Sequence, residues 1–477
     1  MRFELHSGDS ATYLWSSHLA RFAALTPIEK KSVPKFLASI FNGMAVWETH
    51  AEFRAFATMV HEVAHYFQDL TTGIGTWDFL KRRDNLRARL SYLRAAQDEQ
   101  AIGETTLMRS LISMAQEKDR ELTTECVFVP ISEFPSERRE KLRKGMSACI
   151  GKEAPEDDVV PFLVENMLES EAAMATFSTI RNLKMSDEQW EIAKDNNELW
   201  NFAYMPEVYT HTVSLLMAIF EHWMGGTMAE LRQEYGPAAF EMFHQLMTFI
   251  IDVCWAYPDP DYFRDSGVQH HEFDPGLKLM RLLARLQRGN SEEAAAFQSA
   301  VLKEKDFDKA EAILLVNCGF TYIPARKIYA AWSGYLERLC QADDDRLLKS
   351  RKHICDLRQK HTYEMAGKRL GHFHTVHIDL HYVANGIQSY WSSPAFLDDD
   401  YKFVMADLLR FNRDLAIADY LAGTTAFVCL SAEARICDAA KNSCRMGITM
   451  PEQFPEAHEC KVRHALESAR FNLRRLQ

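Results

Sequence analysis

Residues 49–73 read THAEFRAFATMVHEVAHYFQDLTTG, a segment that carries a start, a buried face and a stop for one helix. Thr49 and Glu52 are spaced as a capping box, each side chain able to satisfy a free amide of the first turn. Phe53, Phe56, Val60, Ala64 and Phe67 recur at three- and four-residue intervals and form one apolar stripe. Gly73 follows the last periodic residue, where a left-handed C-terminal cap costs a glycine little. The pattern predicts a helix over about 50–70 with one face in a core.

Inside that helix His61 and His65 are four residues apart. At roughly 100° per residue the two imidazoles stack on one face, about a turn apart. That separation suits two nitrogens bound at roughly 2.0–2.1 Å to one tetrahedral zinc. Glu62 points to the side of the same turn, where it could take a proton from water without being a ligand. Two histidines do not hold a catalytic zinc, so a third protein ligand is required. The bland alternative is a core helix whose histidines hydrogen-bond inward.

This segment resembles the extended HExxH pattern of the zincin metallopeptidases. Thr58 stands three before the first histidine, Met59, Val63, Ala64, Tyr66 and Phe67 are uncharged, and no proline interrupts. The metzincin arrangement needs a further histidine shortly after His65, and residues 66–73 contain none. A second segment, VENMLESEAA at 164–173, resembles the glutamate motif of the gluzincin branch. The resemblance implies zinc held by His61, His65 and a glutamate, either Glu169 or Glu165, the other orienting a ligand histidine. Glu169 is favoured because Ala172 and Ala173 let its part of the helix come close to the Ala57/Ala64 side of the first. Pro161, preceded by Glu156, Asp157 and Asp158, is expected to open that helix. The resemblance also implies Glu62 as general base, a peptide or protein substrate along an edge strand, and an oxyanion donor beyond the second motif. There Tyr204, Tyr209 and His211 are candidates, with His211 chosen.

The whole chain has 477 residues, too many for one ordinary core, and 47% of them are apolar, which argues against disorder over most of its length. Leu, Ala, Met, Glu and Arg at helical spacing mark further helices near 85–118, 159–183, 207–233, 276–300, 402–422 and 456–475. Strand signals are few: Arg2–Leu5, Cys126–Pro130 and His374–Val383. The expected fold is mainly α (α+β): a zincin-like catalytic core with a small sheet over 1–255, then a mainly helical region over 256–477, with a further division near 343–360. Ala256–Pro275 reads as a long surface connection.

Fifty-five basic against 67 acidic residues leave a net charge of −12, which excludes a general binder of the phosphate backbone. Basic runs at Lys81–Arg83 and Arg138–Lys144 are interleaved with leucines and read as solvated helix faces. No signal peptide and no membrane-spanning run are expected. Ten scattered cysteines fit a reducing compartment, so the chain reads as cytoplasmic. Two looser clusters, His372/His374/His377/His381 and Cys437/Cys444/His458/Cys460/His464, read as polar wall and buried cysteines rather than second metal sites. The rival to a zinc hydrolase is a non-catalytic helical interaction module that keeps the metal site. The oligomeric state has no signature in the sequence.

Overall fold

The structure, a computed structural model, describes residues 11–14, 19–22, 32–98, 127–130, 159–162, 164–196, 207–268, 291–317, 323–343, 345–360, 379–384 and 387–392, with a few positions between 273 and 282. The helices, in chain order, begin with α1 (Ser32–Asn42), α2 (His50–Thr71) and α3 (Gly73–Asp98). After them come α4 (Val164–Asn182), α5 (Asp187–Asp195), α6 (Glu207–Met224) and α7 (Met228–Tyr235). Then follow α8 (Ala238–Trp255), α9 (Pro260–Ser266), α10 (Ser291–Gln298) and a π-helical turn, Ser299–Glu304. Last come α11 (Phe307–Asn317), α12 (Ala325–Ala342) and α13 (Arg346–Lys360).

The chain divides into two compact units: residues 1–38, 77–123 and 377–477 in one, and 39–76 and 124–376 in the other. The expected boundary at 255 falls within the second unit, between α8 and α9. In the first unit four short strands pair as backbone. β1 (Ala11–Leu14) lies antiparallel to β2 (Leu19–Phe22), β2 parallel to Asp379–Ala384, and that strand antiparallel to Ile387–Ser392. In the second unit Val127–Pro130 and Val159–Phe162 form an antiparallel pair that sets Pro161 opposite Phe128. Pro161 therefore does not open a helix; α4 begins three residues later.

The expected zincin-like core with a small sheet is not found. The part of the chain with described side chains is 85% helical and holds no strand, so that part is all-α. Helix α2 packs on helices α4, α5 and α13, and α4 packs in turn on α6 and α8. The edge strand that was to carry substrate falls with the sheet. The reason the sheet expectation fails is compositional: the segments that bury this unit are rich in helix formers and lack strand-like alternation.

Helix α2 forms for the reasons its sequence supplies. Thr49 accepts a hydrogen bond from the Glu52 amide at 3.2 Å, while the Glu52 carboxylate accepts from the Glu48 amide at 2.7 Å rather than from Thr49, so the box closes one residue early. Phe53, Phe56, Val60, Ala64 and Phe67 are all buried, each large one worth about 1.5–3 kcal/mol. Trp47 packs edge-on against Phe53 and tilted against Phe56, both at 5.0 Å between ring centroids. Gly73 does not cap α2 in a left-handed conformation. The cap is Thr72, in extended geometry, and Gly73 opens α3. Its lack of a side chain matters for another reason: a Cβ there would lie 2.5 Å from the Tyr257 carbonyl oxygen.

Tyr257 belongs to the stretch expected to be a surface connection. Ala256, Tyr257 and Asp259 are instead buried, because Trp332 donates to the Tyr257 carbonyl at 2.7 Å and Asp259 caps α9. The polar stretch after 343 likewise proves to be α13, packed along α12 with Arg351 and Arg358 in the core. Arg351 meets Asp69 at 2.7 Å, and Arg358 meets Asp252 at 2.9 Å and the Tyr329 hydroxyl at 3.0 Å. Two further buried charges sit at helix ends. Glu311 accepts from the Ala325 amide at the start of α12 at 2.9 Å, and Lys278 donates to the carbonyls of Val253 and Ala256 at the end of α8.

Candidate metal centre

Helices α2 and α4 bring His61, His65 and Glu169 together. His61 and His65 rise from successive turns with ring centroids 4.7 Å apart. Small residues on both helices, Ala57 and Ala64 on one, Ala172 and Ala173 on the other, are buried. The His61 Nε2 lies 2.9 Å from Glu169 Oε2, the His65 Nε2 3.3 Å from Glu169 Oε1, and the two Nε2 atoms 3.2 Å from each other. Donors bound at about 2.0–2.1 Å to one tetrahedral ion stand roughly 3.3 Å apart, so this donor set fits a single zinc. The His65 side chain is 7% exposed, while His61 and Glu169 are each 17% exposed, so the cluster is reached from their side.

Electrostatics match that arrangement. Burial pushes the His61 imidazole down, and His65 adds to this, against the Glu169 contacts. Burial also opposes the charge on His65, but the Glu169 carboxylate, its hydrogen bond and the nearby Glu62 outweigh it and raise His65 to about 9. Glu169 is held below the usual carboxylate range, since the two histidines outweigh its burial. The last two shifts are two faces of one ion pair. Metal-free at pH 7, the triad is thus neutral His61, protonated His65 and ionised Glu169. A histidine ligand must be neutral, so loading at pH 7 displaces about one proton. If the triad takes zinc, the affinity should rise about tenfold per pH unit between pH 6 and 8, levelling as His65 deprotonates. Calorimetry in buffers of different ionisation enthalpy counts that proton; a count near zero would contradict the assignment.

Glu62 is 5% exposed, and its carboxylate is near enough to His65 to favour the imidazolium. Behind His65 lies a chain of buried polar groups that sequence reasoning missed. His65 Nδ1 and Gln68 Oε1 are 2.8 Å apart, Gln68 Nε2 donates to Glu171 Oε2 at 3.0 Å and to the Leu168 carbonyl at 2.9 Å, and Trp255 Nε1 donates to Glu171 Oε2 at 2.8 Å. The signal was present as a glutamine three after His65 and a second acid two after Glu169.

Of the other candidate residues, Glu165 lies on α4 and His211 and Tyr209 on α6; their side chains lie outside the described residues, as does Tyr204 entirely. The same holds for residues 138–144 and for the Cys437–His464 cluster, and of the His372–His381 group only the His381 backbone is described. Arg82, in the first basic run, pairs with Asp78 across one turn of α3 at 2.8 Å. Among the described residues no helix is long and apolar enough to cross a membrane. Comparison with protein-family models, with curated proteins and with solved structures found no match.

Proposed function

We propose that the chain is a zinc-dependent hydrolase, a peptidase acting on a peptide or protein substrate. One observation carries this reading: two imidazole nitrogens and a carboxylate converge from two helices at ligand-to-ligand distances, with a second buried carboxylate, Glu62, on the same turn. His61, His65 and Glu169 would hold the zinc. Zinc held there supplies Lewis-acid activation of water and of a carbonyl. Glu62 takes a proton from water and returns it to the leaving amine, as a general base and then acid. Glu165 remains the alternative ligand, and His211, on the helix that packs against α4, the proposed donor to the oxyanion. A cytoplasmic setting belongs to the same proposal, supported by ten cysteines scattered along the sequence without the paired spacing of a disulfide framework.

The motif-level likeness to gluzincins supports the chemistry and not the fold. Zinc titration tests the reading. Wild type should bind one zinc, Glu169→Ala should lose far more than a hundredfold in affinity, and Glu165→Ala should lose no more than the roughly ten- to a hundredfold that an outer partner is usually worth. Loss in Glu165→Ala alone would reverse the assignment. Stoichiometric zinc with no cleavage of denatured casein would favour the interaction-module reading, and no zinc would end both.

A further inference from the structure

We propose that Gln68 is a positioning residue: with Glu171 and Trp255 it fixes the His65 ring with Nδ1–H turned inward, so that Nε2, facing Glu169 and His61, is the nitrogen left to a metal. Its role in metal binding rests on the proposed zinc site; its geometry does not.

The argument runs inward from Trp255. An indole nitrogen can only donate, so Glu171 Oε2, 2.8 Å from Trp255 Nε1, is an acceptor. The Leu168 carbonyl is an acceptor by nature. Gln68 presents one end of its amide to both, at 3.0 and 2.9 Å, and only the NH₂ end has two hydrogens to give. The flipped amide would set an oxygen against two oxygens in a site where Gln68 is 1% exposed and water cannot compensate. The Gln68 oxygen must therefore face His65 Nδ1, 2.8 Å away, and an amide oxygen can only accept. The proton is on Nδ1. An amide oxygen is also a weaker acceptor than a carboxylate, so it orients the ring without drawing the proton off it. Gln68 sits three residues after His65 on the same helix face, where such a contact is sterically natural. Loading the site then requires neither rotation of the ring nor a change of tautomer.

Nitrogen NMR on the full chain with ¹⁵N-labelled histidine tests this directly. Once the pH is raised until the His65 nitrogen signals are those of a neutral ring, metal-free wild type should show a protonated Nδ1 and a bare Nε2 for His65. The opposite tautomer would overturn the proposal with no variant needed. Gln68→Met should lose that signature and bind zinc about ten- to a hundredfold more weakly. Gln68→Glu sets a carboxylate against both Glu171 and the Leu168 carbonyl and should also weaken zinc. Unchanged tautomer and affinity in Gln68→Met would equally overturn it. Wild type that shows the tautomer but takes no zinc would remove the metal site and leave the positioning intact.

Discussion

Glu62→Gln is expected to keep its zinc and lose hydrolysis by a hundredfold to ten-thousandfold, the usual worth of a positioned general base. The substitution preserves the size of the side chain, and at 5% exposure size is what the packing of α2 requires. What it removes is the carboxylate that, in the proposed mechanism, would carry a proton between water and the leaving group, while His61 and His65 remain in place. The measurement is turnover of denatured casein beside zinc content on the same sample. Wild-type turnover in this variant would take Glu62 out of the mechanism. Lost zinc would instead mean that Glu62 holds the site together, and the rate could then not be assigned to base catalysis.

The second large effect concerns the frame around the site. Arg351→Met should destabilise the fold by about 3–5 kcal/mol, because it leaves the Asp69 carboxylate buried without its cation. Both side chains are almost fully inaccessible, at 1% and 0%, and Arg351 also donates to the Asp69 carbonyl at 2.6 Å. Asp69 lies four residues after His65, so this pair ties the end of the ligand helix to α13. Urea unfolding followed by circular dichroism would report the loss as a shifted midpoint. Adding Asp69→Asn should return part of it, since replacing both partners costs less than orphaning one. A loss under 1 kcal/mol in Arg351→Met would show that the pair is not a structural tie.

The α2 helix and its two histidines were legible in the sequence because the cap, the stripe and the ligand spacing all lie within 25 residues and agree. The third member of the cluster was legible only as a pair, Glu165 or Glu169, because residues four apart share a helix face and spacing alone does not say which one meets a neighbour. Helix α8 was missed for a different reason. Residues 243–255 carry few charges and are nearly all buried, so no polar face marks a period. The polar composition of 343–360 suggests a division rather than a core helix, because Arg351 and Arg358 look like surface residues until Asp69 and Asp252, 282 and 106 residues away in sequence, are placed beside them. Two of the strand-like stretches, at 126–130 and 374–383, do hold paired strands, but no strand enters the helical packing whose side chains are described, so the zincin-like core with a sheet came from the resemblance alone.

The two buried charges at helix ends act as stops on sliding. Glu311 reads the position of Ala325, and Lys278 reads the positions of Val253 and Ala256, each through bonds that only one axial placement satisfies. Shifting α12 or α8 by a single residue, about 1.5 Å, would break these bonds in a place that water does not reach. Apolar packing tolerates small slips by exchanging one methyl for another; a lone carboxylate or ammonium does not. The bundle behind the cluster is thus indexed like a rack with pins. The distances among His61, His65 and Glu169 are held by helices whose neighbours cannot creep.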